Sequence, residues 1–354
     1  MLNSLFIKNY RILKELQINS IKQINLITGK NNTGKSSLLE ALYIYFTKVS
    51  PESLLQILNG RGESDKAINS HVYSFLFTNR LTNESIIIGE INSVNSFEIK
   101  LVNYIEEYET QKSGDIIYRK KYISNSQLNN FKNYKTGLEI SAGDSSQHVD
   151  LHGVIINTGN ILKFVQYTNV CFVRSGISFA PNDKLFDGIA LTEKESYVIE
   201  ALRIIEPKTE RITFIADDNF TARKAVIKLS DQLNVLPLQS MGDGMNRILS
   251  IILALINAEN GLLLIDEFEN GLHYSVQKQL WKIIFKLAKM LNIQVFSTTH
   301  SSDCIASFEA VSNDLENTVK GQLIRLDNLN GIIKPVEYTT KELEVAIENN
   351  IETR

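Results

Sequence analysis

An α/β fold built on a mostly parallel sheet is predicted by three features of the sequence. The glycine loop Gly29-Lys30-Asn31-Asn32-Thr33-Gly34-Lys35-Ser36 lies between a short apolar run and a stretch of helical apolar spacing. The apolar run Leu262–Ile265 ends at the adjacent carboxylates Asp266 and Glu267. From Ser240 to Ser302, strand-like and helix-like stretches alternate. Such alternation packs as a mostly parallel sheet with helices on both faces.

The elements follow in order. Residues 2–8 and 12–18 alternate apolar and polar, which predicts two strands around Asn9-Tyr10-Arg11. Ile24 to Thr28 reads as a buried strand, and the helix after the loop runs to about Lys48. Residues 51–70, with Pro51, Gly60 and Gly62, read as a short helix with a flexible exit. The runs Val72 to Phe77, Ser85 to Ile88 and Phe97 to Leu101 are separated by Asn-rich turns and read as antiparallel strands. Residues 103–150 are polar and tyrosine-rich. Val170 to Val173 returns to a buried-strand pattern, and 192–206 reads as a helix. Residues 244–257 and 274–290 have helical apolar spacing, with a strand at Gln294 to Thr298. A hairpin about Asn330-Gly331 closes the chain, followed by a helix opened by the capping box Thr339-Thr340-Lys341-Glu342.

The chain has 354 residues, a formal net charge of −3, 43% hydrophobic and 22% charged residues, the balance of a globular protein. No apolar run approaches the roughly 20 residues needed to span a bilayer, and the N-terminal residues lack a signal-peptide pattern. With only Cys171 and Cys304, no disulfide framework or thiolate metal site is implied, and a cytoplasmic location is expected. The near-neutral charge does not require nucleic acid as a partner, although it leaves one possible.

The loop carries the first chemical reading. Gly29 and Gly34 let the backbone curl so that successive N–H groups face an anion, and the following helix adds its positive end. Lys35 is placed to reach the β- and γ-phosphates, and the Ser36 hydroxyl to ligate Mg²⁺. Asp266 is suited to hold Mg²⁺, and Glu267 to polarise the water that attacks the γ-phosphate. His300, at the end of the next strand, is placed to sense that phosphate. Ser240-Met241-Gly242-Asp243-Gly244 makes a small-residue turn at a helix start, a geometry that favours anions. Two weaker signals read first as structure. Ile117-Tyr118-Arg119-Lys120-Lys121-Tyr122 is a solvated strand face before it is a grip on a phosphate backbone. His148, Asp150 and His152 are loop or strand edge before they are a metal site.

In this order, the phosphate loop, Ser-x-Gly turn, Asp-Glu strand, Asn270-Gly271-Leu272-His273 loop and Thr298-Thr299-His300-Ser301 resemble ABC-type ATPase heads of the bacterial OLD-like, RecF-like and SMC-like group. Phe6 to Arg11 resembles their first strand, and Ser240 to Arg247 the OLD-like signature. The resemblance implies a P-loop NTPase of ABC-ATPase type with an antiparallel β subdomain and an inserted lobe. Residues 1–102 would form the N-terminal part of the head, 103–165 the inserted lobe and 166–305 the C-terminal part. Residues 306–354 would be the closing hairpin and helix.

ATP and Mg²⁺ are the implied cofactors. Gly29, Asn31, Asn32, Thr33, Gly34, Lys35, Ser36, Ser37, Ser240, Gly242 and Asp243 would contact nucleotide. Ser36 and Asp266 would hold the metal, while Lys35, Glu267 and His300 would be catalytic. Gln166 is a candidate Q-loop glutamine. Ser240 and Gly242 would act in trans in an ATP-dependent homodimer, with Glu269 and Asn270 crossing the interface. Met241 stands where transporters carry a second glycine, which argues against a transporter. Too few residues follow His300 for the TOPRIM nuclease of OLD proteins, and residues 103–165 lack a coiled-coil heptad. The implied function is an ATPase switch that controls a separate nuclease or toxin in anti-phage defence. The alternatives are a RecF-like DNA repair ATPase and an ATP-stabilised scaffold that sequesters a toxin.

Overall fold

The computed structural model describes residues 1–63, 72–93, 95–110, 116–124, 127, 131, 133–149, 169–174, 181–216, 223–314, 319–349 and 351–353. Gln166, Asp150, His152 and the side chains of Ile117, Tyr118 and Arg119 lie outside the described residues. The chain divides into two compact units. One comprises Met1–Asn3, Ser20–Leu39 and Thr168–Arg354, and the other Ser4–Asn19 and Glu40–Tyr167.

The first unit is built on a six-stranded sheet in the order Ile332–Thr339, Gly321–Leu329, Ile24–Thr28, Gln294–Thr298, Leu262–Ile265, Val170–Val173. All neighbours are parallel except the hairpin strand Ile332–Thr339. Ile24–Thr28, Leu262–Ile265 and Gln294–Thr298 are buried at every position. A central strand covered on both sides has no solvated face, so Leu262–Ile265 is an unbroken apolar run, and the polar Asn25, Thr28, Gln294, Ser297 and Thr298 of the other two are buried with it. The helices Asp243–Asn257, Tyr274–Met290 and Ser302–Ser312 contribute Ile252, Trp281 and Phe308 to the core around this sheet. Three helix starts are capped by side chains. His273 accepts from Ser275 N–H, Ser301 from Cys304 N–H, and Thr339 and Glu342 complete the capping box of Thr340–Glu348. A three-stranded antiparallel sheet, Thr209–Ala216, Arg223–Leu229 and Leu236–Pro237, leads into the Ser240 turn. The sequence pattern does not single out these strands.

The second unit carries a seven-stranded antiparallel sheet. Its path is Leu13–Ile18, Leu5–Tyr10, Ile86–Gly89, Ser96–Thr110, Lys135–Ala142, Ser145–Val149, with Ile116–Ile123 also paired to Ser96–Thr110. The polar residues from 103 onward thus continue the ladder begun at Phe97, with apolar Ile99, Leu138 and Ile140 buried at alternate positions. One expected strand is corrected: Val72–Leu76 is a 3₁₀ turn, and Phe77 makes only an isolated bridge to Tyr10. The buried residues Val72, Tyr73, Leu76 and Phe77 are spaced as on a helix, a periodicity that a six-residue apolar run conceals. Within the same unit Glu40, fully buried, meets Arg11 Nε at 2.9 Å and Arg61 Nε at 2.8 Å, and Arg11 also pairs with Glu63 at 2.9 Å. This unit ties its sheet to the helix Lys35–Phe46 by charge as well as by apolar packing.

Candidate functional site

Three adjacent parallel strands end at one edge of the first unit's sheet, and each hands over to a chemical loop. Ile24–Thr28 leads into Gly29, Leu262–Ile265 into Asp266, and Gln294–Thr298 into Thr299 and His300. Parallel pairing aligns these exits, Thr298 with Ile27 and Ile265 with Ser297. Ligands of open α/β sheets collect at this carboxyl edge.

The loop geometry follows from its glycines. Gly29 has φ 138°, and a Cβ there would lie 2.5 Å from Leu326 O, so no other residue fits without movement. Gly34 has φ 87° and starts the helix, with its carbonyl accepting Leu38 N–H at 2.8 Å. Thr33 Oγ1 donates to Lys30 O at 2.9 Å and closes the loop. Asn31 and Asn32 are exposed at its crest, the latter at φ 61°, while Ser37 is buried behind it. Lys35 folds back into the loop, its Nζ donating to Gly29 O at 2.6 Å and Lys30 O at 2.8 Å. Burial lowers its pKa from 10.5 to about 8, against the opposing pull of Asp266, Glu269 and Glu267.

The carboxylate strand and the loop meet directly. Ser36 Oγ donates to Asp266 Oδ1 at 3.2 Å, and Thr298 Oγ1 donates to the same oxygen at 2.7 Å. The Thr298 hydroxyl in turn accepts Glu267 N–H at 2.8 Å. Glu267 adopts φ 52°, an uncommon conformation for a residue with a Cβ, found most often where a site is held in place. Glu269 uses both carboxylate oxygens, accepting Thr299 Oγ1 at 2.7 Å and His300 N–H at 2.7 Å. Its carboxylate is thus engaged within its own chain. Phe268 anchors the turn from below, stacked on Trp281 at 4.2 Å between ring centroids.

Ser240, Gly242 and Asp243 are exposed and form a separate turn. Ser240 Oγ donates to Pro237 O at 2.7 Å, and Gly242, at φ 91°, caps the helix Asp243–Asn257. Among the described residues, no hydrogen bond joins these three side chains to the phosphate loop of the same chain. The folded chain therefore assembles Lys35, Ser36, Asp266, Glu267 and His300 at one edge and leaves the Ser240 turn facing outward.

The donor set also bears on the expected metal. Ser36 Oγ and Asp266 Oδ1 are hard oxygen donors that already meet, and the described residues contain no cluster of three or more His, Cys, Asp or Glu ligands. That set fits Mg²⁺, which takes one or two protein oxygens and completes its shell with phosphate and water.

Sequence reasoning did not foresee the roles of Thr298, Glu269 and Arg247. Arg247 Nη2 donates to Asp266 O and Glu267 O, both at 2.7 Å. Their partners lie some 20 to 30 residues away, and no local pattern encodes such bonds; the signal for Arg247 was its place at the end of the Ser240–Arg247 stretch that resembles a signature motif.

The chain is similar to known proteins. A family model described as "AAA domain, putative AbiEii toxin, Type IV TA system" matches residues 24–303. A Helicobacter pylori protein described as an ATP/GTP phosphatase is 24% identical over 377 residues, covering 99% of this chain and 98% of its own. A shorter match, 35% identical over 89 residues, is to the DNA double-strand break repair Rad50 ATPase of Archaeoglobus fulgidus, covering 25% of this chain and 9% of that protein. Among solved structures, the Smc head domain with an extended coiled coil, bound to the C-terminal domain of ScpA and derived from Pyrococcus furiosus, aligns at TM-score 0.52 and 12% identity. That alignment covers 99% of this chain and 100% of the other. An SmcHead bound to the C-winged helix domain of ScpA aligns at TM-score 0.51 and 14% identity over 98% and 99% of the two chains. These likenesses establish the fold, that of ABC-type ATPase heads. Among the described residues no helix is long and apolar enough to cross a membrane.

Proposed function

The chain belongs to the AAA-domain family described for AbiEii and type IV TA systems, and from that premise we propose that it is an ATP-driven switch, two copies of which close on ATP and control a separate effector. It is an ATPase of the AAA/ABC type. The observation that carries the switch reading is the division of the site. Lys35, Ser36, Asp266 and Glu267 converge at one edge, whereas the anion-favouring turn at Ser240 is exposed and its hydroxyl is bonded to Pro237 O. A second copy supplies that turn to the triphosphate.

The loop N–H groups and Lys35 bind and orient the β- and γ-phosphates. Ser36 and Asp266 would hold Mg²⁺, which would neutralise phosphate charge. Glu267 accepts a hydrogen bond from a water molecule and directs its oxygen at the γ-phosphorus. As that P–O bond forms, the water's proton passes to the Glu267 carboxylate, the bond to the bridging oxygen of ADP breaks, and Lys35 stabilises the charge on the departing diphosphate. His300 stands where it can contact the γ-phosphate, and hydrolysis releases the pair. The family's link to toxin–antitoxin systems supports a toxin or nuclease as the controlled effector, within the OLD-like branch that the Ser240 turn resembles.

Glu267→Gln tests this reading. We expect the variant to bind ATP with Mg²⁺, to lose turnover and to accumulate as a dimer in light scattering. A variant that stays monomeric with saturating ATP would refute the two-chain switch.

A further inference from the structure

Arg247 is a half-buried cation, its Nε out of contact with solvent, that the proposed chemistry does not use. It stands just over one turn into the helix Asp243–Asn257, which the Ser240 turn opens. Its Nη2 donates to the successive carbonyls Asp266 O and Glu267 O at 2.7 Å each, and its Nη1 donates to Arg174 O at 3.2 Å. Asp266, Glu267 and Glu269 are its charged neighbours. A guanidinium so placed ordinarily pairs with a carboxylate. Here it takes main-chain oxygens instead, and among the described residues it forms no ion pair and nothing accepts from its buried Nε. Leaving its buried Nε without an acceptor does not maximise stability. What it does achieve is to hold both peptide carbonyls of the catalytic turn, one of them on Glu267 at φ 52°.

A second contact joins the same two pieces. A Cβ at Gly244 would lie 3.1 Å from Gly271 O, and Gly271, at φ 74°, has Asp243 and Arg247 as its near neighbours. The helix start and the segment from Asp266 to Gly271 thus touch at both ends, through a glycine at one and a planar fork at the other.

We propose that Arg247 is a positioning residue that fastens the Asp266–Glu267 turn to the same chain's Ser240 turn, so that docking of that turn on the partner's triphosphate sets the aim of Glu267. The inference rests on the two-chain reading above. Within one chain Ser240 serves the partner's nucleotide and Glu267 its own, so a rigid link between them couples the two sites. The guanidinium suits this task because its donors are fixed in one plane and move together. A shift of the helix start is passed to both carbonyls at once.

The test compares wild type with Arg247→Met, which keeps the side-chain length and removes every donor, and Arg247→Lys, which keeps charge and donors. Hydrolysis is measured against ATP concentration in Mg²⁺, alongside ATP affinity and melting temperature. We expect Arg247→Met to bind ATP as wild type does, with kcat reduced about 10–100-fold, the range seen when groups that orient a site's ligands are removed. If the two sites are coupled, the rate curve should be sigmoidal in wild type and hyperbolic in Arg247→Met, and Arg247→Lys should recover part of kcat. Wild-type kcat in Arg247→Met overturns the proposal, as does a loss that tracks falling melting temperature in both variants. A wild-type protein that remains monomeric with ATP, read by light scattering on the same samples, removes the two-chain reading instead, and kcat still judges the anchoring.

Discussion

Lys35 shows how one residue's surroundings set the conditions for binding. Its ammonium lies among loop carbonyls, and burial brings its pKa down from 10.5 to about 8. With the folded value below the unfolded one, the nucleotide-free protein gains stability as pH rises through the window from about 8 to 10.5, where only the unfolded chain carries the proton. Triphosphate favours the charged form, so binding at about pH 9 should take up a proton, and affinity should fall as pH climbs above about 8. Calorimetry in that window in two buffers of different ionisation enthalpy reads this directly; identical enthalpies would show that Lys35 does not titrate on binding. Gly29 makes a second point at this scale. Gly29→Ala must place a methyl 2.5 Å from Leu326 O in a backbone region that alanine avoids. A loss of at least about 1–3 kcal/mol is expected from denaturant unfolding, together with loss of ATP binding. An unchanged midpoint would mean that the loop can relax.

At the scale of elements, the Asp266–Glu267 turn depends on packing beneath it. Phe268 and Trp281 are both fully buried, and Trp281 also meets Phe285 and Phe308 edge-on, so one stack joins the turn to the helices Tyr274–Met290 and Ser302–Ser312. Phe268→Ala should cost about 3–5 kcal/mol. Because Trp281 is the only tryptophan, its emission reports the change; emission and stability both like wild type would show that the stack is dispensable. In the second unit, Glu40 takes two arginines without access to water. Removing it leaves Arg11 still paired with Glu63, and Arg61, about a third exposed, without this carboxylate, so Glu40→Ala should destabilise by about 1–3 kcal/mol. Wild-type thermal stability in that variant would mean that water replaces the carboxylate.

At the scale of the whole molecule, the division between the phosphate edge and the exposed Ser240 turn has a complementation test. Lys35→Ala loses the loop and Ser240→Arg the turn, so each alone should be inactive. A mixed pair keeps one intact composite site, with Lys35 from one chain and Ser240 from the other. Random mixing should therefore restore roughly a quarter of wild-type turnover, since half the dimers are mixed and each keeps one of two sites. Mixtures as inactive as their parents would mean that the site is complete within one chain. DNA offers a separate outcome: binding that weakens steeply with added salt would favour a repair-type role over effector control.

Much of the site is legible in the sequence because it is local. The loop, the strand Leu262–Ile265 with its carboxylates, the helix Tyr274–Met290 and the capping box at Thr339 each lie in a short contiguous stretch with its own steric or periodic rule. Short patterns are less dependable. Val72 to Phe77 reads as a strand until burial reveals a helical turn, and the strands on either side of residues 217–222 have no distinct signal. The sequence by itself determined the fold class, the nucleotide loop and the identity of the acids, since each depends on neighbours along the chain. Tertiary structure alone decided what holds those acids in place: Thr298 on Asp266, Glu269 on His300, Arg247 on the Asp266 and Glu267 carbonyls, and Phe268 on Trp281. Those contacts join residues distant in sequence, and their geometry exists only once the sheet has aligned its strand ends.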